Sequence, residues 1–284
     1  MMFVKSIIEE RLSTDVLSIS KLSGGDINQV FKITCLQGTY VVKYNSLLKF
    51  PGMFSKEANG LRMLQKGGIK TPSVIDHFEQ MDDQFLVLEY VEQENYEVNF
   101  WVNFANDLAV LHQKSHVSFG LDEQNFIGSL PQLNEQKSNW EEFFVLNRLK
   151  PLVKKAFDQK LLTKNHLDDF DRFYLVLPEL LPTEPPSLLH GDLWSGNLLC
   201  GGEQQAVFID PAVYYGHREV DIAMTRMFGG FDPVYLDHYH ERFPLEKGWE
   251  ERIPIHNLYP NLVHLILFGK SYLSGIERVV QKYS

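Results

Sequence analysis

The feature that most restricts the fold is a set of three polar residues arranged around a hairpin. Asp192 and Asn197 lie five positions apart, and Asp210 ends the apolar run Ala206-Val207-Phe208-Ile209. Between Asn197 and Asp210 the chain reads as two short β-rich runs, Leu198-Leu199-Cys200 and 206–209, joined by Gly201-Gly202-Glu203-Gln204-Gln205. Such runs on either side of a glycine-rich turn predict a β-hairpin, and closing it brings Asp210 back beside Asn197. A lone Asp or Asn in a loop most often caps a turn. Capping requires no hairpin between its members, so the ordered set points to a shared site.

The rest of the chain supplies the scaffold, and its pattern changes near residue 90. Five β-rich runs, 16–22, 30–35, 39–44, 73–78 and 85–90, are separated by turn signals at Gly24-Gly25, Gln37-Gly38 and Met81-Asp82-Asp83. One helix interrupts them near 53–66, where Ala58, Leu61 and Leu64 share a face and Gly67-Gly68 provides a stop. Beyond residue 98 the period turns helical, with Phe100, Phe104, Leu108 and Leu111 forming one stripe. Further helices are expected near 139–157, 163–181, 219–228, 233–242 and 258–281. The chain therefore reads as an α+β protein of two lobes: a small antiparallel sheet lobe, 1–91, then a larger, mainly helical lobe, 92–284. Segment 115–138 is long and turn-rich for a connection, and reads equally as a substrate-shaping loop or a surface excursion.

Composition narrows the function classes. At 284 residues and 44% hydrophobic, the chain can bury a core without covalent staples. A net charge of −10 argues against nucleic acid or an anionic membrane as partner, because both reward basic surface. Two cysteines, Cys35 and Cys200, are too few for a disulfide framework. No run approaches the length of a membrane span, and the first residues lack the apolar stretch of a signal peptide. The expected setting is cytoplasmic.

Phosphoryl transfer requires an acid to accept the attacking hydroxyl's proton, an amide oxygen for a magnesium ion, and a carboxylate linking metal to nucleotide phosphates. Asp192, Asn197 and Asp210 supply these in the order and spacing of the kinase template. That template also demands a lysine on the third strand, a helical glutamate to orient it, and a phosphate-covering turn. Lys43 ends the β-branched run Thr39-Tyr40-Val41-Val42, and Glu57 follows fourteen positions later within the expected helix. Read singly, Lys43 is a solvated strand end and Glu57 a surface helix residue; the order of the whole set makes them a pair. The phosphate turn is unorthodox: Ser23, Gly25 and Asn28 stand where three glycines are usual, with Gly24 between the first two, and Asn is the next residue best able to enter the left-handed region. The connector Glu89-Tyr90-Val91 is expected to meet the adenine edge through its main chain. ATP and Mg2+ are the implied cofactors.

Gly191 stands where protein kinases carry arginine, Asp210-Pro211-Ala212 replaces D-F-G, and no Ala-Pro-Glu closes an activation segment. The pattern resembles the small-molecule branch of the protein-kinase-like fold, which includes aminoglycoside phosphotransferases and choline kinases. Residues 190–197 read H-G-D-L-W-S-G-N, 208–212 read F-I-D-P-A and 215–225 read Y-G-H-R-E-V-D-I-A-M-T. With Gly24-Gly25-Asp26, these runs look like the fructosamine kinase (ketosamine-3-kinase) family across nearly the whole chain. The resemblance implies ATP-dependent phosphorylation of the O3 hydroxyl of a small-molecule or protein-bound ketosamine, after which the adduct decomposes and frees its amine. It also implies a bracing role for Asp221. Trp194 reads either as a platform for the sugar or its amine substituent, or as packing for the loop. Rival readings are an aminoglycoside or choline-type phosphotransferase, a non-catalytic nucleotide-binding module, and a metal-dependent hydrolase built on His190 and Asp192. The hydrolase lacks a second ligand cluster at metal spacing: His238 and His240 are two apart and point to different helix faces.

Overall fold

A computed structural model describes residues 2–22 and 27–283. Its first part is helix α1 (Met2–Leu12), strands β1 (Val16–Lys21), β2 (Gln29–Cys35) and β3 (Gly38–Ser46), helix α2 (Met53–Gly67), and strands β4 (Val74–Gln80) and β5 (Asp83–Glu89). The strands form one antiparallel sheet in the order β1-β2-β3-β5-β4. Alternation sets its faces: Phe31, Ile33 and Cys35 of β2 point to one side, where they meet Val42, Phe85 and Val87. Val4, Ile7 and Ile8 of α1, spaced three and four apart on one helical face, cover that side. The opposite face of β5, Leu86 and Leu88, packs on Met53, Phe54, Ala58 and Leu61 of α2. Being covered twice, β5 is apolar through its centre. Gly68, at φ 100°, ends α2 by donating its N–H to the Gln65 and Leu64 carbonyls.

The larger part begins with α3 (Val98–His112), followed by the two-stranded hairpin of β6 (Asn125–Ile127) and β7 (Leu130–Gln132). Helix α4 (Trp140–Phe143) passes through a π-helical stretch, Phe144–Leu149, into α5 (Lys150–Asp158), and α6 (Lys164–Leu180) follows. Four short strands come next: β8 (Ser187–Leu189), β9 (Leu198–Gly201), β10 (Gln205–Phe208) and β11 (Tyr214–Gly216). The chain finishes with α7 (Glu219–Thr225), α8 (Val234–Arg242), α9 (Trp249–His256), α10 (Leu258–Phe268) and α11 (Leu273–Tyr283). Phe104 of α3 stacks on Phe208 of β10 at 5.7 Å, seating the β9–β10 hairpin on the buried stripe of α3.

The architecture matches the sequence expectation, with local corrections. The helix expected over 258–281 is broken at Gly269, whose φ of 93° few other residues adopt. The one expected over 219–228 stops at Thr225, and α9, which carries an internal proline, is an additional helix between the expected ones. No helix among the described residues is long and apolar enough to cross a membrane.

Candidate active site

The loop after β8 is held by a single buried carboxylate. Asp221, in the first turn of α7, accepts the His190 N–H at 2.7 Å and the Gly191 N–H at 2.9 Å. Its Oδ2 also lies 3.2 Å from Nε2 of His112, on α3. His190 accepts the Asp192 N–H at Nδ1 (3.2 Å), so Nε2 carries the proton and donates to the Ile209 carbonyl at 2.9 Å. Burial pushes the His190 pKa down, which keeps this bracing ring neutral. Gly191 sits at φ 82°, and any Cβ there would overlap the Ala212 carbonyl oxygen. Glycine at this position is thus dictated by the crossing of two backbones, and an arginine would not fit.

The same crossing gathers the polar set. Asn197 donates through Nδ2 to the Asp192 carbonyl (2.8 Å) and to Asp192 Oδ2 (3.0 Å). The Asn197 carbonyl accepts the Ile209 N–H at 3.0 Å, and the β9–β10 register, Leu198 opposite Phe208, carries the chain round to Asp210. Asp210 has a φ of 54°, a left-handed conformation that Asp tolerates better than most residues. Lys43, on β3, donates from Nζ to Glu57 Oε1 of α2 at 2.7 Å and to Asp210 Oδ1. Burial pulls the Lys43 pKa down, but Asp210 and Glu57 together outweigh it, and the ammonium is held above its ordinary value. Burial likewise raises Glu57, with Lys43 opposing. Asp192, half-buried, is pushed up to about 7 by loss of water, against the Asn197 hydrogen bond and with the Asp210 charge adding. Asp210 and the Asn197 side-chain oxygen, which accepts no hydrogen bond among the described residues, offer the hard oxygen donors that suit Mg2+.

On the connector, the Glu89 N–H goes to Ser73 O and the Tyr90 N–H to Thr39 O, while the Glu89 carboxylate caps Ser73. The Val91 N–H has no partner among the described residues. Gly24 and Gly25 lie outside those residues. Asn28 does not enter the left-handed region; its Oδ1 accepts from Asn45 Nδ2 at 2.7 Å, so its place in the turn rests on a side-chain bond.

Trp194 is 39% exposed, and its ring lies over Gly196, where a Cβ would clash. Phe228 meets it edge-on at 6.1 Å, and His264 of α10 meets Phe228 at 5.2 Å. Sequence spacing gave no sign of these last two, which arrive from separate elements. His217 and Arg218, of unknown direction in the sequence, point inward. Arg218 forks onto Glu184 at 2.8 Å to each oxygen and contacts the Phe243 and Pro244 carbonyls. His217, Glu219 and His256 cluster at metal-like spacing, but the proton positions oppose a metal. His217 Nδ1 accepts the Glu219 N–H, leaving Nε2 protonated, and Glu219 is engaged by the Arg252 fork and by His256.

A five-stranded antiparallel sheet over a helical lobe, with the lysine, glutamate, two aspartates and asparagine drawn to the seam, defines a protein-kinase-like fold of the phosphotransferase class. The fructosamine kinase family model matches residues 2–284, and the chain belongs to that family. It is 37% identical to the "Probable ketoamine kinase" of Enterococcus faecium, over 92% of this chain and 93% of that one. The crystal structure of a provisional fructosamine-3-kinase from Thermobifida fusca superposes with a TM-score of 0.86 at 32% identity, covering 98% and 97% of the two chains. An aminoglycoside phosphotransferase crystallised with AMP-PNP and hygromycin B shares the fold, with a TM-score of 0.69 at 16% identity over 99% and 98%.

Proposed function

We propose that the protein transfers the γ-phosphoryl group of ATP to a sugar hydroxyl, O3, of ketosamines such as fructosamine or ribulosamine, as in protein deglycation. The observation that carries this reading is Lys43 held between Glu57 and Asp210 while Asn197 holds Asp192, in a chain of the fructosamine kinase family. Residues 1–91 form the nucleotide lobe in this reading, and residues 92–284 the catalytic and substrate lobe. Lys43, oriented by Glu57, binds the nucleotide phosphates; the turn with Gly24, Gly25 and Asn28 covers them; Glu89, Tyr90 and Val91 line the adenine edge.

Asp210 and Asn197 would hold Mg2+, which neutralises phosphate charge when bound. Asp192 accepts the proton of the attacking hydroxyl. A carboxylate pushed up to about 7 is matched to that task near neutral pH. Asn197 fixes its direction, and Asp221 fixes the loop. Trp194, half-exposed two positions from Asp192, offers a flat face to the sugar or its protonated amine. A cytoplasmic setting goes with ATP as donor and with two buried, unpaired cysteines.

Measuring ATP consumption with fructosamine, ribulosamine, choline and an aminoglycoside tests this reading. Turnover with a ketosamine above the other acceptors is expected. Turnover confined to choline or the aminoglycoside would replace the substrate, and nucleotide binding without turnover of any acceptor would reduce the protein to a binding module.

A further inference from the structure

Segment 115–138 is not a loose surface excursion, because its hairpin is riveted into the larger lobe by buried amides. Asn125 Nδ2 donates to the Val213 carbonyl at 2.8 Å, and Gln132 Nε2 donates to the Ala212 carbonyl at 3.0 Å. Asn134 links Asn125 to Arg148, and Tyr259 donates to Gln132 at 2.8 Å. Arg148 itself is fully buried, with its guanidinium over the rings of Tyr214, Phe143 and Tyr259. The hairpin is therefore anchored on the two residues that follow Asp210-Pro211.

Its other side grips α2, the helix that carries Glu57. Glu123 pairs with Lys56 Nζ and accepts Asn59 Nδ2 at 3.2 Å, while its own carbonyl is held by Asn134 at 3.0 Å. Phe126 packs against the core that α2 forms with β5. Gly60 of α2 faces Pro211 and Val213 so closely that a Cβ would stand 3.4 Å from each. Both acidic partners of Lys43 thus rest on one scaffold: Asp210 through Ala212 and Val213, which follow it, and Glu57 through Glu123.

We propose that Glu123 is a positioning residue. It clamps α2 so that Glu57 stays turned into the cleft, and the β6–β7 hairpin does the work that an ordered activation segment and helix positioning do in protein kinases. The clamp is built into the fold and needs no modification to close. This inference rests on the phosphotransferase reading for its kinetic consequence but not for its structural one.

The test compares the wild-type chain, Glu123→Ala and the charge swap Lys56→Glu/Glu123→Lys by amide exchange over 53–67, by AMP-PNP affinity, and by steady-state kinetics with ATP and a ketosamine. A half-exposed ion pair with one added hydrogen bond supports a loss of about fivefold. In Glu123→Ala, α2 amides should exchange faster, and AMP-PNP affinity and KM for ATP should worsen by about fivefold, with the ketosamine KM within about twofold of wild type. The swap should recover most of each loss. Unchanged α2 exchange and nucleotide affinity in Glu123→Ala, or a loss the swap does not restore, would overturn the clamp. A wild-type protein that consumes no ATP with any ketosamine overturns the substrate reading instead, and the exchange arm still decides the clamp.

Discussion

Replacing Asp221 by Asn isolates the brace of the loop that carries Asp192 without changing the shape of the side chain. One carboxylate oxygen accepts the His190 N–H and the other the Gly191 N–H, with His112 at 3.2 Å, and the group is fully buried. An amide keeps one acceptor and turns an NH2 towards the second donor, leaving that donor and the amide unsatisfied out of reach of water. A buried unsatisfied polar group costs about 1–3 kcal/mol, and bonds to a charged acceptor are worth about 1.5–3 kcal/mol each. A net loss of about 3 kcal/mol follows, which at about 2 cal/mol/K of unfolding entropy per residue lowers the Tm of a 284-residue chain by roughly 5 °C. Because the displaced backbone carries Asp192, kcat should fall as well, by about a hundredfold for a shift near 1 Å. Thermal unfolding and initial-rate measurements on the same preparation read both effects. An Asp221→Asn protein with wild-type Tm and kcat would show that the brace carries neither stability nor geometry.

The buried His217 gives a pH signature. Burial and the adjacent His256, against Glu219 and Glu184, push its pKa down to about 4 from 6.5. In that window the unfolded chain takes up the proton first, so stability is complete above pH 6.5 and declines towards pH 4 by up to about 3 kcal/mol. Urea midpoints measured across this range should slope downward with acid, and His217→Gln should flatten the slope; an unchanged slope would remove His217 as its source. Glu219, lowered to about 2 although burial alone would raise it, because Arg252 and His256 hydrogen-bond it, adds its loss only below about 4.5. Trp194→Ala should raise the ketosamine KM by about tenfold while leaving the KM for ATP unchanged, as expected when a ring face over a cation is lost. Equal changes in both constants would mark the ring as loop packing.

The parts legible in the sequence are those set by short-range pattern. The β9–β10 hairpin follows from two apolar runs and a glycine-rich turn, and the pairing of Lys43 with Glu57 from a strand end and a helix face fourteen positions on. What could not be read depends on contacts between distant segments. The direction of His217 and Arg218 is decided by Glu184 and by the Phe243 and Pro244 carbonyls. The anchoring of segment 115–138 depends on Asn125 meeting a carbonyl 88 residues away. The backbone of Asn28 is set at a distance too: it does not take the left-handed conformation, and its side chain is engaged by Asn45, seventeen residues away.

The central claim is that Asp192 takes the proton in a site assembled by Lys43, Glu57, Asn197 and Asp210. Single-turnover phosphoryl transfer by Asp192→Asn, with AMP-PNP affinity measured alongside, tests it most directly. The account predicts nucleotide binding within about twofold of wild type and transfer slowed by about a thousandfold. Transfer within about tenfold of the wild-type rate would contradict it.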